Sequence, residues 1–275
     1  MAENSKIQWT KHTWNPLWGC RKVSAGCKFC YAERIIKGRM GHDFGAIRRT
    51  QPKTWNHPFA LHKNLTGQEP FTERLVFTCS MSDFFILEGD EHRADMWRVI
   101  RQTPNLIYQI LTKRPERIME CLPPDWGPNG YDNVWLGTSV EDQEAADLRI
   151  PILCSIPAKI RFLSVEPLIG PVNLSKHLSY VGGAETLKFK RTVDWVIVGG
   201  ESGNDSGKWK FRPCDIAWIK NIIWSCDIAW HTPVFVKQFG TYLAKEMQLS
   251  DRKGGDMEEW PEWARIRQFP KIYTQ

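Results

Sequence analysis

Three scarcities narrow the class of this chain. No apolar run reaches the roughly 18 residues that a membrane-crossing helix requires, and Met1 to Lys11 carries no apolar signal-peptide core. A cytoplasmic protein with no membrane partner is expected. Ligand spacing is missing among His57, His62, His92, His177 and His231, so these histidines predict no metal site. Acid is scarce at one end: Met1 to Lys63 holds 12 Lys+Arg against 3 Asp+Glu, a net of +9, which leaves −3 for the other residues.

With Trp9, Trp14, Trp18, Trp55, Phe59 and four histidines interleaved, that basic end suits a polyanion and offers stacking surfaces. A solvated basic face is the competing explanation. At 275 residues, 42% hydrophobic and 25% charged, the composition excludes disorder and a fibrous fold and suits one α/β domain over 1–275.

The eight cysteines are not spread evenly. Without an export signal a chain of this length needs no disulfide staples, and Cys79, Cys121, Cys154, Cys214 and Cys226 stand singly, as buried thiols do. Cys20, Cys27 and Cys30 instead fall within one short segment, spaced C-x6-C-x2-C. Three thiolates are one short of a closed zinc site but suffice for a [4Fe-4S] cluster with one iron open to an added ligand. Zinc completed by His12 or His42 is the alternative.

The rest of the chain repeats one pattern. Short apolar runs at Arg74–Cys79, Leu106–Leu111, Val134–Gly137, Ile160–Ser164, Asp194–Val198 and Val234–Val236 each lead into polar residues, most of them followed by a helical stretch. Helices are predicted after Tyr31 and over Glu91–Gln102, Glu116–Cys121, Gln143–Ile150 and Pro213–Ser225. Such βαβ repetition, with Thr13–Leu17 as a seventh strand, favours a full or partial (β/α) barrel of parallel strands over a doubly wound sheet. Residues 12–31 form the cluster-binding loop, 41–70 and 170–192 insertions, and 241–275 a C-terminal extension closed by aromatics.

A parallel barrel builds its site from the loops after its strands. Those loops carry Ser80 and Asp83, then Lys113 and Arg114, then Ser139 and Glu141, then Glu166, Glu201 and Lys237. A chelating small molecule on the open iron would have its ammonium held by Asp83, its carboxylate by Lys113 or Arg114, and a ribose by Ser139 with Glu141. Glu166, Glu201 and Lys237 are candidate catalytic groups; internal salt bridges from Lys237 to Glu166 or Glu201 compete with that role. Gly199 and Gly200 also have a plain reading, a strand turning into a loop.

The segment C27-K-F-C30-Y resembles the C-x-aromatic-C of the radical S-adenosylmethionine superfamily, with six residues between Cys20 and Cys27 where three are usual. The chain is also similar to an uncharacterised family of phage and bacterial proteins. That likeness rests on W-N-P-x-x-G-C, G-C-x-x-C-Y-A-E-R, L-T-K-R-P, L-G-x-S-V-E, L-S-x-E-P-L, V-I-V-G-G-E-S-G and a late K-Q-x-G, from Trp14 to Gly240. The resemblance implies a [4Fe-4S] cluster on Cys20, Cys27 and Cys30, S-adenosylmethionine as co-substrate, and an electron donor. Hydrogen abstraction would follow from a substrate entering over the basic end, a nucleic acid or nucleotide. A non-catalytic nucleic-acid-binding protein stapled by zinc or iron-sulfur is the second hypothesis.

Overall fold

The computed structural model describes residues 3–178, 180–181, 190–229 and 231–271. Seven apolar runs pair into one sheet: β1 (His12–Trp14), β2 (Leu75–Thr78), β3 (Ile107–Thr112), β4 (Val134–Ser139), β5 (Ile160–Val165), β6 (Trp195–Gly199) and β7 (Val234–Gln238). The strands are parallel and follow one another across the sheet in sequence order. Sequential order has no switch point of the doubly wound kind, and among the described residues no pairing joins β1 to β7. Every residue of β2, β4, β5 and β6 is buried. These runs lack polar alternation because neither face of the strand meets water.

The chain packs as two compact units, Met1–Gly137 with Ile156–Lys159, and Thr138–Ser155 with Ile160–Gln275. In the first, α1 (Tyr31–Gly38), α2 (Pro52–Trp55), α3 (His57–Asn64), α4 (Arg93–Arg101) and α5 (Ile118–Cys121) accompany β1 to β3. Met96, Trp97 and Ile100 of α4 are buried at helical spacing. Trp14 is fully buried, with ring centroids 5.7 Å from Tyr108 and 6.3 Å from Trp55. The stretch 41–70, which lacks sustained periodicity, nonetheless holds α2 and α3. Pro52 and Pro58 sit in their first turns, where a missing N–H costs nothing, and Trp55 and Leu61 anchor them.

The second unit contains the end of β4, strands β5 to β7, α6 (Gln143–Ser155), α7 (Ile216–Ile228) and α8 (Gly240–Glu246). Pro151 predicts a stop at Ile150, yet α6 continues to Ser155. Ala146, Ile150 and Leu153 form one buried stripe, and that burial outweighs the lost hydrogen bond at the proline. α7 begins three residues later than Pro213 because Asp215 is its cap, accepting from the Ala217 N–H at 2.8 Å.

In the stretch 170–192, Tyr180–Val181 pairs antiparallel with Lys190–Arg191, while 179 and 182–189 lie outside the described residues. Beyond α8 the chain returns to β7: Val236 N–H donates to Ile266 O at 2.8 Å and Gln268 N–H to Val234 O at 2.9 Å. Trp260, fully buried, stacks on Phe239 at 4.9 Å. Among the described residues no helix is long and apolar enough to cross a membrane.

Candidate functional site

The three clustered cysteines lie in the first unit, just past β1. Leu17–Trp18 pairs antiparallel with Arg48–Arg49, and the chain then turns at Gly19, whose φ is +92°. A side chain there would lie 2.8 Å from Ala46 O, so glycine is what lets Cys20 N–H reach Phe44 O at 2.9 Å. Cys27 ends a short 3-10 turn over Ala25–Cys27, and Cys30 directly precedes α1. Cys20 and Cys30 pack, with Trp18, Met40 and Met81, against one apolar wall of Ala32, Ile36 and Phe44.

Burial pushes the Cys20 thiol up to about 12; Asp83 adds to the rise and the Arg114 guanidinium opposes it. Burial also raises Cys30, opposed by the backbone N–H groups of Glu33 and Ala32 and by the Lys113 ammonium. Arg114 thus stands beside Cys20, and the Lys113 charge acts on Cys30. Among the described residues no three His, Cys, Asp or Glu side chains are gathered into a ready metal-ligand set. The donor chemistry nevertheless fits a soft metal: three thiols, an apolar wall and neighbouring cations that offset thiolate charge.

The loop after β2 is tied to this segment at several points. Cys79 adopts a left-handed φ of +63° while its N–H donates to Trp14 O at 2.8 Å. Asn15 Oδ1 accepts from Ser80 Oγ at 3.1 Å and from Met81 N–H at 2.9 Å, Ser82 Oγ donates to Gly19 O at 2.6 Å, and Tyr31 OH to Ser80 O at 2.5 Å. Asn15 follows β1 directly; its position at the end of a strand was the available signal for this clamp.

Asp83 is 5% exposed and accepts four hydrogen bonds. Phe85 N–H and Thr112 Oγ1 reach Oδ1 at 3.0 and 2.7 Å, and Lys113 N–H and Arg114 Nη1 reach Oδ2 at 3.1 and 3.0 Å. Its lone pairs are taken by protein donors, so Asp83 organises Arg114 and offers no open carboxylate to an ammonium. Arg114 in turn lies 3.8 Å from Cys20 Sγ and donates to Arg21 O at 2.7 Å. The fold therefore brings Cys20, Cys27, Cys30, Ser80, Asp83, Lys113 and Arg114 into one neighbourhood of the first unit.

The other rim residues belong to the second unit, where the charged ones form ion pairs. Glu141, 1% exposed, is held by Arg149 of α6 at 2.7 and 3.4 Å, and Arg149 also donates to Ser139 O at 2.9 Å. Glu166 pairs with Lys237 at 2.6 Å and accepts from Gln238 Nε2 at 3.3 Å. Glu201 accepts from Arg212 through its backbone N–H at 2.9 Å, Nε at 2.9 Å and Nη2 at 2.5 Å. Of the two internal bridges weighed for Lys237, the one to Glu166 is formed. Arg149 and Arg212 are the partners that sequence reasoning missed. Arg149 had a signal, lying four residues after Ala145 and directly before Ile150 of the buried stripe of α6; Arg212 sits in a polar loop with none.

The G-G-E-S-G stretch is explained by close backbone approach. A methyl group on Gly200 would lie 2.1 Å from Phe239 O, and one on Gly203 would lie 2.1 Å from Lys210 O. Gln238 Nε2 also bridges to Gly200 O at 3.2 Å, fixing the loops after β6 and β7 to each other. Gly200→Ala is expected to cost about 3 kcal/mol through forced backbone separation, measured as a lower urea midpoint; an unchanged midpoint would refute the contact.

No curated protein and no solved structure shows a significant match to this chain. Residues 4–266 match the family described as Protein of unknown function (DUF5131), and the chain belongs to that family.

Proposed function

We propose that this protein is a radical S-adenosylmethionine-type enzyme in which Cys20, Cys27 and Cys30 hold a [4Fe-4S] cluster. The observation that carries this reading is the electrostatic setting of the outer thiols: Arg114 lies 3.8 Å from Cys20 Sγ, and the Lys113 ammonium favours the Cys30 thiolate. When bound, the cluster would supply the single electron that reductive cleavage of S-adenosylmethionine needs, which is the chemistry of radical hydrogen abstraction. The chain's own part is positioning and shielding.

Asp83 holds the Arg114 guanidinium in place beside Cys20. Arg114 and Lys113 are the cations for the carboxylate of S-adenosylmethionine, which replaces the expected division of labour in which Asp83 took the ammonium. Trp18, Met40 and Met81 exclude water from the wall that Cys20 and Cys30 share. Sequential parallel strands support a partial (β/α) barrel as the scaffold.

Anaerobic reconstitution with iron and sulfide tests the reading. The expected result is a brown protein with iron and sulfide bound, which releases 5′-deoxyadenosine from S-adenosylmethionine on reduction with dithionite. Cys27→Ala is expected to lose the iron. Zinc retained in place of iron, or a Cys27→Ala protein that keeps a full complement of iron, overturns the proposal.

A further inference from the structure

The surface around the cysteine segment has a charge pattern that an iron-sulfur site does not require. Among the described residues Lys28, Arg34, Arg39, Arg48 and Lys53 make no ion pair with a carboxylate, unlike Lys22 and Lys37, which share the buried Glu33 at 2.7 and 3.0 Å. Lys28, Arg39, Arg48 and Lys53 are exposed and Arg34 is half-buried. The acids of this stretch are outnumbered: Glu33 is committed to its two lysines, and Asp43, which makes no ion pair among the described residues, is one negative charge against five such cations.

Three of these cations are attached to the cysteine segment by the fold. Arg48 is cross-strand from Trp18, which packs on the same apolar wall as Cys20 and Cys30. Lys28 lies between Cys27 and Cys30, and Arg34 stands three residues after Tyr31 on the same side of α1. Between them Tyr31 is 43% exposed. Its hydroxyl is fixed to Ser80 O at 2.5 Å, which removes the rotational freedom an exposed ring would otherwise lose on binding. A fixed aromatic face among uncompensated cations fits a polymer with flat bases and a phosphate backbone. An acidic peptide would use the charge but leave the ring idle.

We infer that this face binds single-stranded nucleic acid, with a base stacked on Tyr31 and phosphates on Lys28, Arg34 and Arg48. As the substrate class of the reaction proposed above the inference rests on that reading; as a binding property it does not. Recognition is through stacking and backbone charge, so it tolerates many sequences.

Fluorescence anisotropy of the full chain with a labelled mixed-sequence oligonucleotide tests it. With about three phosphates neutralised, the slope of log K against log salt is expected near −2. Arg34→Glu/Arg48→Glu is expected to weaken binding at least about tenfold in about 0.1 M salt and to flatten that slope by about 1.4. Tyr31→Ala is expected to weaken binding roughly tenfold and Tyr31→Phe by only about threefold, since the ring does the stacking and the hydroxyl only fixes it. Full affinity in the double variant, competition by poly-glutamate equal to that by the oligonucleotide, or equal binding of a mononucleotide overturns the inference. Iron content and 5′-deoxyadenosine release are measured on the same preparations. Lost oligonucleotide binding with the cluster intact sinks this inference alone; intact binding without iron sinks only the proposed reaction.

Discussion

Asp83→Ala is expected to destabilise the protein by about 3–5 kcal/mol, because it strands the Arg114 guanidinium, buried like Asp83 itself, without its counter-ion. The same change removes the Asp83 hydrogen bonds of the Phe85 and Lys113 N–H groups and of the Thr112 hydroxyl. Asp83→Asn keeps the shape and part of the accepting capacity, so a smaller loss is expected. In Asp83→Ala/Arg114→Met the stranded charge is gone, and the double variant should be more stable than Asp83→Ala alone. Urea unfolding of all three measures this. A shift below about 1 kcal/mol for Asp83→Ala would mean that Asp83 does not organise the loop.

Arg149→Met is the second large effect, again about 3–5 kcal/mol, since it breaks an ion pair whose two partners are both buried. Adding Glu141→Leu is expected to restore most of the loss. What persists is roughly 1 kcal/mol for the hydrogen bond that Arg149 gives to Ser139 O. A double variant no more stable than Arg149→Met would show that the pair is not the source of the effect. The cycle separates a structural ion pair from a ligand-facing carboxylate, because only the former recovers when both partners become apolar.

The strands were legible because their burial is two-sided: L-V-F-T at Leu75–Thr78 and W-V-I-V-G at Trp195–Gly199 show apolar runs that a half-exposed strand would interrupt. Their ends were less so. β4 continues through Thr138 and Ser139, both buried, since a hydroxyl that finds a partner can stay in the sheet. The helices at 52–55 and 57–64 were hidden by Pro52 and Pro58, which mark starts there and breaks elsewhere. At the site, residue types at strand ends pointed to charge correctly, but not to what the charge meets. Glu141 and Glu201 each find an arginine eight or eleven residues later in the chain. Such pairing depends on the path of a loop or on a helix face, and neither is encoded in the strand that carries the acid.

The return of Ile266–Gln268 to β7 also sets an order of events in time. Val234 and Val236 use residues 266 and 268 as backbone partners on the side away from β6. During synthesis, at about 5–20 residues per second, the end of β7 emerges roughly 1.5–6 s before that partner does. For that interval the strand presents open N–H and C=O groups to anything extended nearby. The late segment is thus the last step of maturation for this edge, and a chain stalled before it would be a substrate for chaperones or a seed for pairing between nascent chains.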